Sequence, residues 1–120
     1  LPGRSGSAGL HGRRELVIDN PGDPSDEAIG AILEAVRRRT GVLRAIVLTE
    51  TDPDHAAGAE ALAIQLGIPI LVAPGAGRHL PYRTVEVSDG DLLPADVQLR
   101  VQLIPDEPGH LAIWGTSAGE

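Results

Sequence analysis

At 120 residues the chain is one compact domain or part of a larger one, and too short for two. It has no Cys, Met, Phe or Lys, so a disulfide framework, a thiolate zinc site, an iron–sulfur cluster and a cysteine nucleophile are excluded, and any metal must be held by His, Asp or Glu. The net charge of -7, from 10 basic against 17 acidic residues, opposes the phosphate backbone of nucleic acids. No apolar run approaches the roughly 20 residues that span a bilayer, so neither nucleic acid nor membrane is expected as a partner, and a cytoplasmic location is. With one Trp and one Tyr, the core must be built from Leu, Ile, Val and Ala. A chain this short packs such a core thinly and is expected to need a partner surface.

In chain order, residues 1–12 are rich in Gly and Ser without an apolar period and are expected to be a flexible lead-in to a domain over residues 13–120. Glu15 to Asp19 is a short apolar run stopped by Asn20-Pro21-Gly22-Asp23-Pro24, which predicts a buried strand delivering Asp19 to a loop. Ser25 then caps a helix whose Ile29, Ile32, Leu33 and Val36 keep the i, i+3, i+4, i+7 spacing. Arg37-Arg38-Arg39 suits the helix's negative end, and Gly41 is expected to close it. Val42 to Leu48 predicts a second strand. A second helix follows, with Ala59, Leu62, Ala63 and Leu66 on one face and Gly67 as terminator, and Ile68 to Val72 predicts a third strand. This alternation implies right-handed crossovers between parallel strands covered by helices. Beyond Pro74, the runs Thr84 to Val87, Gln98 to Leu103 and Leu111 to Trp114 predict a meander that joins or extends the first sheet.

The densest polar cluster, Glu50, Asp52, Asp54 and His55, falls between the second strand and the second helix. Ligands of open α/β sheets gather at the carboxyl ends of strands, and these oxygen and imidazole donors are close enough in sequence to hold a divalent cation. The same residue types serve as caps, with Asp52 and Asp54 at the positive helix end, His55 in the first turn and Glu50 solvated, and residue types alone favour capping while leaving the cation reading open. Weaker candidates read blandly. Gly75-Ala76-Gly77 lacks the last Gly of a dinucleotide fingerprint and the Lys of a phosphate loop. Ser25 and Ser117 have no His and acid nearby in sequence, and His11 and His79 read as surface residues.

Four segments together resemble the metallo-β-lactamase fold hydrolases. Leu16-Val17-Ile18-Asp19-Asn20-Pro21-Gly22 is similar to that family's strand ending in Asp-Thr-Gly. Thr49 to Ala59, TETDPDHAAGA, is similar to Thr-His-x-His-x-Asp-His-x-Gly-Gly, and Ser88-Asp89-Gly90-Asp91 to its Asp-Gly-Asp turn. Pro105 to Trp114, PDEPGHLAIW, is similar to Pro-Gly-His-Thr-Pro-Gly-His and the strand after it. Order and spacing agree from about Glu15 to Trp114. The resemblance implies an αββα sandwich of which this chain carries the N-terminal half, expected as one mixed sheet with helices on a face.

The resemblance also shows where the chain departs from the pattern. Glu50 and Asp52 stand where the family has the first two histidines of metal site one, and Asp106 stands where it has the third. Asp54 and His55 match the pair that binds site two, Thr116 stands where a bridging aspartate is usual, and His110 matches a histidine that supports the loop. A three-histidine site is neutral and suits zinc with an open water position. Glu50, Asp52, Asp54, His55 and Asp106 form an anionic, oxygen-rich set that favours manganese, magnesium or calcium over zinc and makes bound water less acidic, if it holds any cation at all. The expected role is therefore non-catalytic binding, assembly or regulation, with no cofactor or a divalent cation. The apolar cover would come from a homo-oligomer or a missing C-terminal half. The alternative is a metal-dependent hydrolase of an ester, thioester, lactone or phosphoester, with Asp54 as the best catalytic candidate and a small-molecule substrate.

Overall fold

The structure is a computed structural model and describes residues 14–115, without the side chains of residues 53–55. The expected lead-in, His11, Thr116 and Ser117 lie outside the described residues. Four strands, β1 (Arg14–Asp19), β2 (Gly41–Val47), β3 (Ile70–Val72) and β4 (Val85–Glu86), form a sheet in the order β1-β2-β3-β4 with every neighbouring pair parallel. Two helices make the first crossovers, α1 (Asp26–Arg38) and α2 (Pro53–Leu66).

Local chemistry explains α1. The Ser25 side chain accepts the Ala28 N–H at 3.1 Å, Asp26 and Glu27 lie at the positive end, and Arg37 and Arg38 at the negative end. Glu34 receives hydrogen bonds from Arg37 and Arg38, which hold its carboxyl below the ordinary range, Arg37 contributing most. The helix does not close on Gly41 as expected. Thr40, at φ 52°, makes the left-handed turn, and Gly41 is already the first residue of β2. Gly41 is small for a different reason: a Cβ there would lie 2.5 Å from a Leu16 methyl and 3.2 Å from the Val36 carbonyl oxygen. Gly67, by contrast, ends α2 at φ 67° as its position predicts.

The single mixed sheet anticipated from sequence is in fact two sheets. β4 joins β3 in parallel, because a 3-10 turn at Ala76–His79 carries the chain back to the start of the sheet before it pairs. The strands β5 (Leu99–Leu103) and β6 (Leu111–Gly115) form a separate antiparallel hairpin. Its turn is tied to the first sheet where the Leu111 N–H donates to the Thr49 carbonyl at 3.0 Å. The segment before β5 is tied where Asp96 and Glu15 exchange hydrogen bonds: the Asp96 N–H to the Glu15 carbonyl at 3.0 Å and the Glu15 N–H to Asp96 Oδ2 at 2.8 Å.

The core centres on β2. Ala45, Ile46 and Val47 are all wholly buried, and since alternate residues face opposite sides, both faces of that strand are covered. From α2 the buried stripe is Ala56, Ala59 and Leu62, one turn earlier than predicted, and Leu66 is exposed. β1 is the sheet's edge, and its Leu16, Val17 and Ile18 are only half-buried.

Candidate functional site

Because β1 to β4 run parallel, the segments that follow them share one edge of the sheet, where α/β proteins bind ligands. Asn20 organises that edge. Its backbone turns at φ 45°, a conformation Asn tolerates better than other side-chain-bearing residues. Its Oδ1 accepts the Thr49 N–H at 2.7 Å and the Thr49 hydroxyl at 2.9 Å, and its Nδ2 donates to the Glu50 carbonyl at 3.0 Å. The Thr49 hydroxyl also lies 3.1 Å from Asp19 Oδ1. Asp19, read from sequence as a strand-end residue, thus belongs with Asn20 to a latch that joins the ends of β1 and β2.

The next residues seat the start of α2. The Gly58 N–H donates to the Pro21 carbonyl at 2.8 Å, and a Cβ at Gly58 would lie 2.6 Å from the Pro21 oxygen and 2.7 Å from the Asp23 oxygen. Only glycine permits that approach. Asp23 in turn accepts the Ser25 N–H at 2.9 Å, a bond that holds its carboxyl below the ordinary range. On the other side, the Leu111–Thr49 bond brings the Ile104–His110 turn to the same edge. Within that turn His110 Nδ1 faces Glu107 Oε1 at 3.6 Å, and Gly109 turns the chain at φ 84°. His110 is itself exposed at the end of that turn.

The five sequence-predicted ligands are placed unevenly. Glu50, half-buried, and Asp52, exposed, follow β2 on the latched segment, and exposed Asp106 lies on the hairpin turn that the Leu111–Thr49 bond draws to the same edge. Asp54 and His55 belong to the first turn of α2, but their side chains lie outside the described residues. Among the described residues, no three His, Asp or Glu side chains gather in a way that could hold a metal ion. Sequence reasoning missed Asn20 and Gly58. A Gly inside a helical pattern was the only local signal for the second; the first had none, because its partners are 29 and 30 positions away.

No protein-family model matches the chain, and no curated protein sequence does. Solved structures do. The crystal structure of BLEG-1 B3 metallo-beta-lactamase superposes with a TM-score of 0.59 at 20% identity, over 84% of this chain and 56% of that one. TTHA1623 in a di-iron-bound form gives 0.63 at 23% identity, over 81% and 55%. ETHE1 from Myxococcus xanthus gives 0.55 at 20%, over 72% and 36%. The chain has a partial metallo-β-lactamase fold. It spans about half the length of the first two structures and about a third of the last.

Of these structures, TTHA1623 holds two irons. The described part of this chain's donor set does not make a neutral three-histidine zinc site. Its described candidates are the carboxylates Glu50, Asp52 and Asp106, two of them exposed. Each zinc ligand exchanged from imidazole to carboxylate adds a negative charge and hardens the site.

Proposed function

We propose that this chain is a metallo-β-lactamase-fold domain that binds, assembles or regulates rather than hydrolysing through zinc. The observation that carries the reading is the composition of the strand-end edge. Glu50, Asp52 and Asp106 stand where the resemblance puts zinc-binding histidines, while the neighbouring polar groups Asp19, Asn20 and Thr49 are engaged in joining β1 to β2. Glu50, Asp52, Asp54 and Asp106 drawn together without a cation would repel one another, which favours a loop that keeps them apart. Assembly is supported by apolar surface that the described residues leave uncovered. Leu16, Val17 and Ile18 of β1 are half-buried, and Leu92, Val97 and Trp114 are mostly exposed. A second copy of the chain, or a further half-domain, would cover it. Elemental analysis after purification without added metal, followed by calorimetric titration with zinc and with manganese, tests the site. We expect no stoichiometric zinc and at most weak manganese binding, and tight zinc binding would sink the reading. Light scattering with dye binding tests the assembly: a monomer that binds no apolar dye refutes it.

A second reading is favoured by one contact. The Leu111–Thr49 bond brings the turn carrying Asp106 to the edge that carries Glu50 and Asp52, as a carboxylate-rich hydrolase site for manganese, magnesium or calcium would require. Hydrolysis of an ester, thioester, lactone or phosphoester that needs manganese and is lost in Asp54→Asn would support this reading over the first.

A further inference from the structure

Along α2 the structure has two adjoining hollows, of about 250 and 280 Å³, which share Glu60 and Tyr82 as walls. The first is lined on its apolar side by Ala56, Ala57, Leu80 and Pro81. The Tyr82 hydroxyl donates to the Ala56 carbonyl at 3.1 Å, which holds the ring against α2. Glu60 is near enough for its charge to act on that hydroxyl, and together with burial it pushes the phenol above its ordinary range. Exposed His79 lines the same hollow and adds charge only when protonated, while Arg83 lines the second hollow and not the first.

We propose that the hollow between Ala57, Glu60 and Tyr82 binds a small alkylammonium ion. The carboxylate of Glu60 takes the ammonium in a charge-assisted hydrogen bond, the Tyr82 ring offers it a π face, and the alkyl part lies on Ala57, Leu80 and Pro81. Charge selects the ligand class, since a carboxylate beside an aromatic face, in a wall whose other polar side chain is His79, repels anions and gives neutral molecules little anchor. Volume limits its size: at about 250 Å³ the hollow falls just below the range of about 300–1,000 Å³ that takes drug-sized ligands. Neither a metal nor the strand-end edge enters the argument, so this site stands or falls apart from the function proposed above.

The test is a chemical-shift titration of the whole chain by heteronuclear NMR with butylammonium, tetramethylammonium and butyrate. We expect saturable shifts at Ala57, Glu60 and Tyr82 with the two cations, at a dissociation constant on the order of 1 mM or weaker, and none with butyrate. Glu60→Gln keeps the shape of the side chain and should weaken butylammonium about tenfold. Ala57→Leu, at an exposed helix position that tolerates the larger residue, should fill the hollow and abolish the shifts. Absence of saturable shifts, equal response to butyrate, or unchanged binding by folded Glu60→Gln overturns the proposal. A capped lysine peptide binding about tenfold more tightly than butylammonium would assign the hollow to a protein side chain and overturn the small-molecule reading.

Discussion

Gly58 and Gly30 are both helix-interior glycines, yet their surroundings set opposite expectations. Alanine in a helix is favoured over glycine by about 0.8–1 kcal/mol. At Gly30 an added Cβ meets nothing within 4 Å, so Gly30→Ala should raise stability by roughly that amount. At Gly58 the Cβ would lie within 2.7 Å of two carbonyl oxygens that are themselves backbone and cannot swing away. Overpacking of this kind costs about 1–3 kcal/mol and outweighs the propensity gain, so Gly58→Ala should be destabilising. Urea denaturation followed by circular dichroism checks both signs in one experiment. Asn20 teaches the same lesson from the polar side. Its left-handed turn and the three hydrogen bonds of its side chain bring it together with Thr49 and Glu50, contacts that no local pattern announces.

At the scale of elements, the helices and the first strands were legible because each carries its own signal. Ser25 before Asp26-Glu27, the spacing of Ile29, Ile32, Leu33 and Val36, and the basic last turn are all local, and α1 formed where they said. Its cap should be worth measuring alone: Ser25→Ala is expected to cost about 1 kcal/mol, read as a lower denaturation midpoint with an unchanged slope. The C-terminal part was less legible. A two-residue strand such as β4 has too little pattern to show its direction, and whether β5 and β6 extend the first sheet or pair only with each other depends on where a long segment lies in space. Leu66 was placed in the core by its period, but it falls at the end of α2, near the start of the three-residue β3, where little sheet remains to cover it.

For the molecule as a whole, composition makes one pH prediction unusually clean. With no Lys and no Cys, Tyr82 is the one side chain that titrates between neutrality and the arginine range. Burial first, and the charge of Glu60 second, raise its folded value above the ordinary one. The unfolded state therefore loses its proton at lower pH than the native state does. Stability is unaffected below the ordinary phenol range and falls as pH rises through the folded value. Denaturation midpoints measured on either side of the phenol range should drop on the alkaline side, and Tyr82→Phe should remove the drop; a flat profile in the parent chain contradicts the placement of the ring.

The amino-acid sequence by itself determined the class of fold, the order of strands and helices to β3, the aliphatic core and the absence of thiolate chemistry, because these rest on composition and on patterns within a few neighbouring residues. Only the tertiary structure decided that β5 and β6 stand apart as a hairpin, that Asn20 latches two strand ends, that Gly58 must be bare and that Glu60 meets Tyr82 across a hollow. The last three join residues more than 20 positions apart, and which distant groups come into contact is set by the packing of whole elements rather than by the pattern within any one of them.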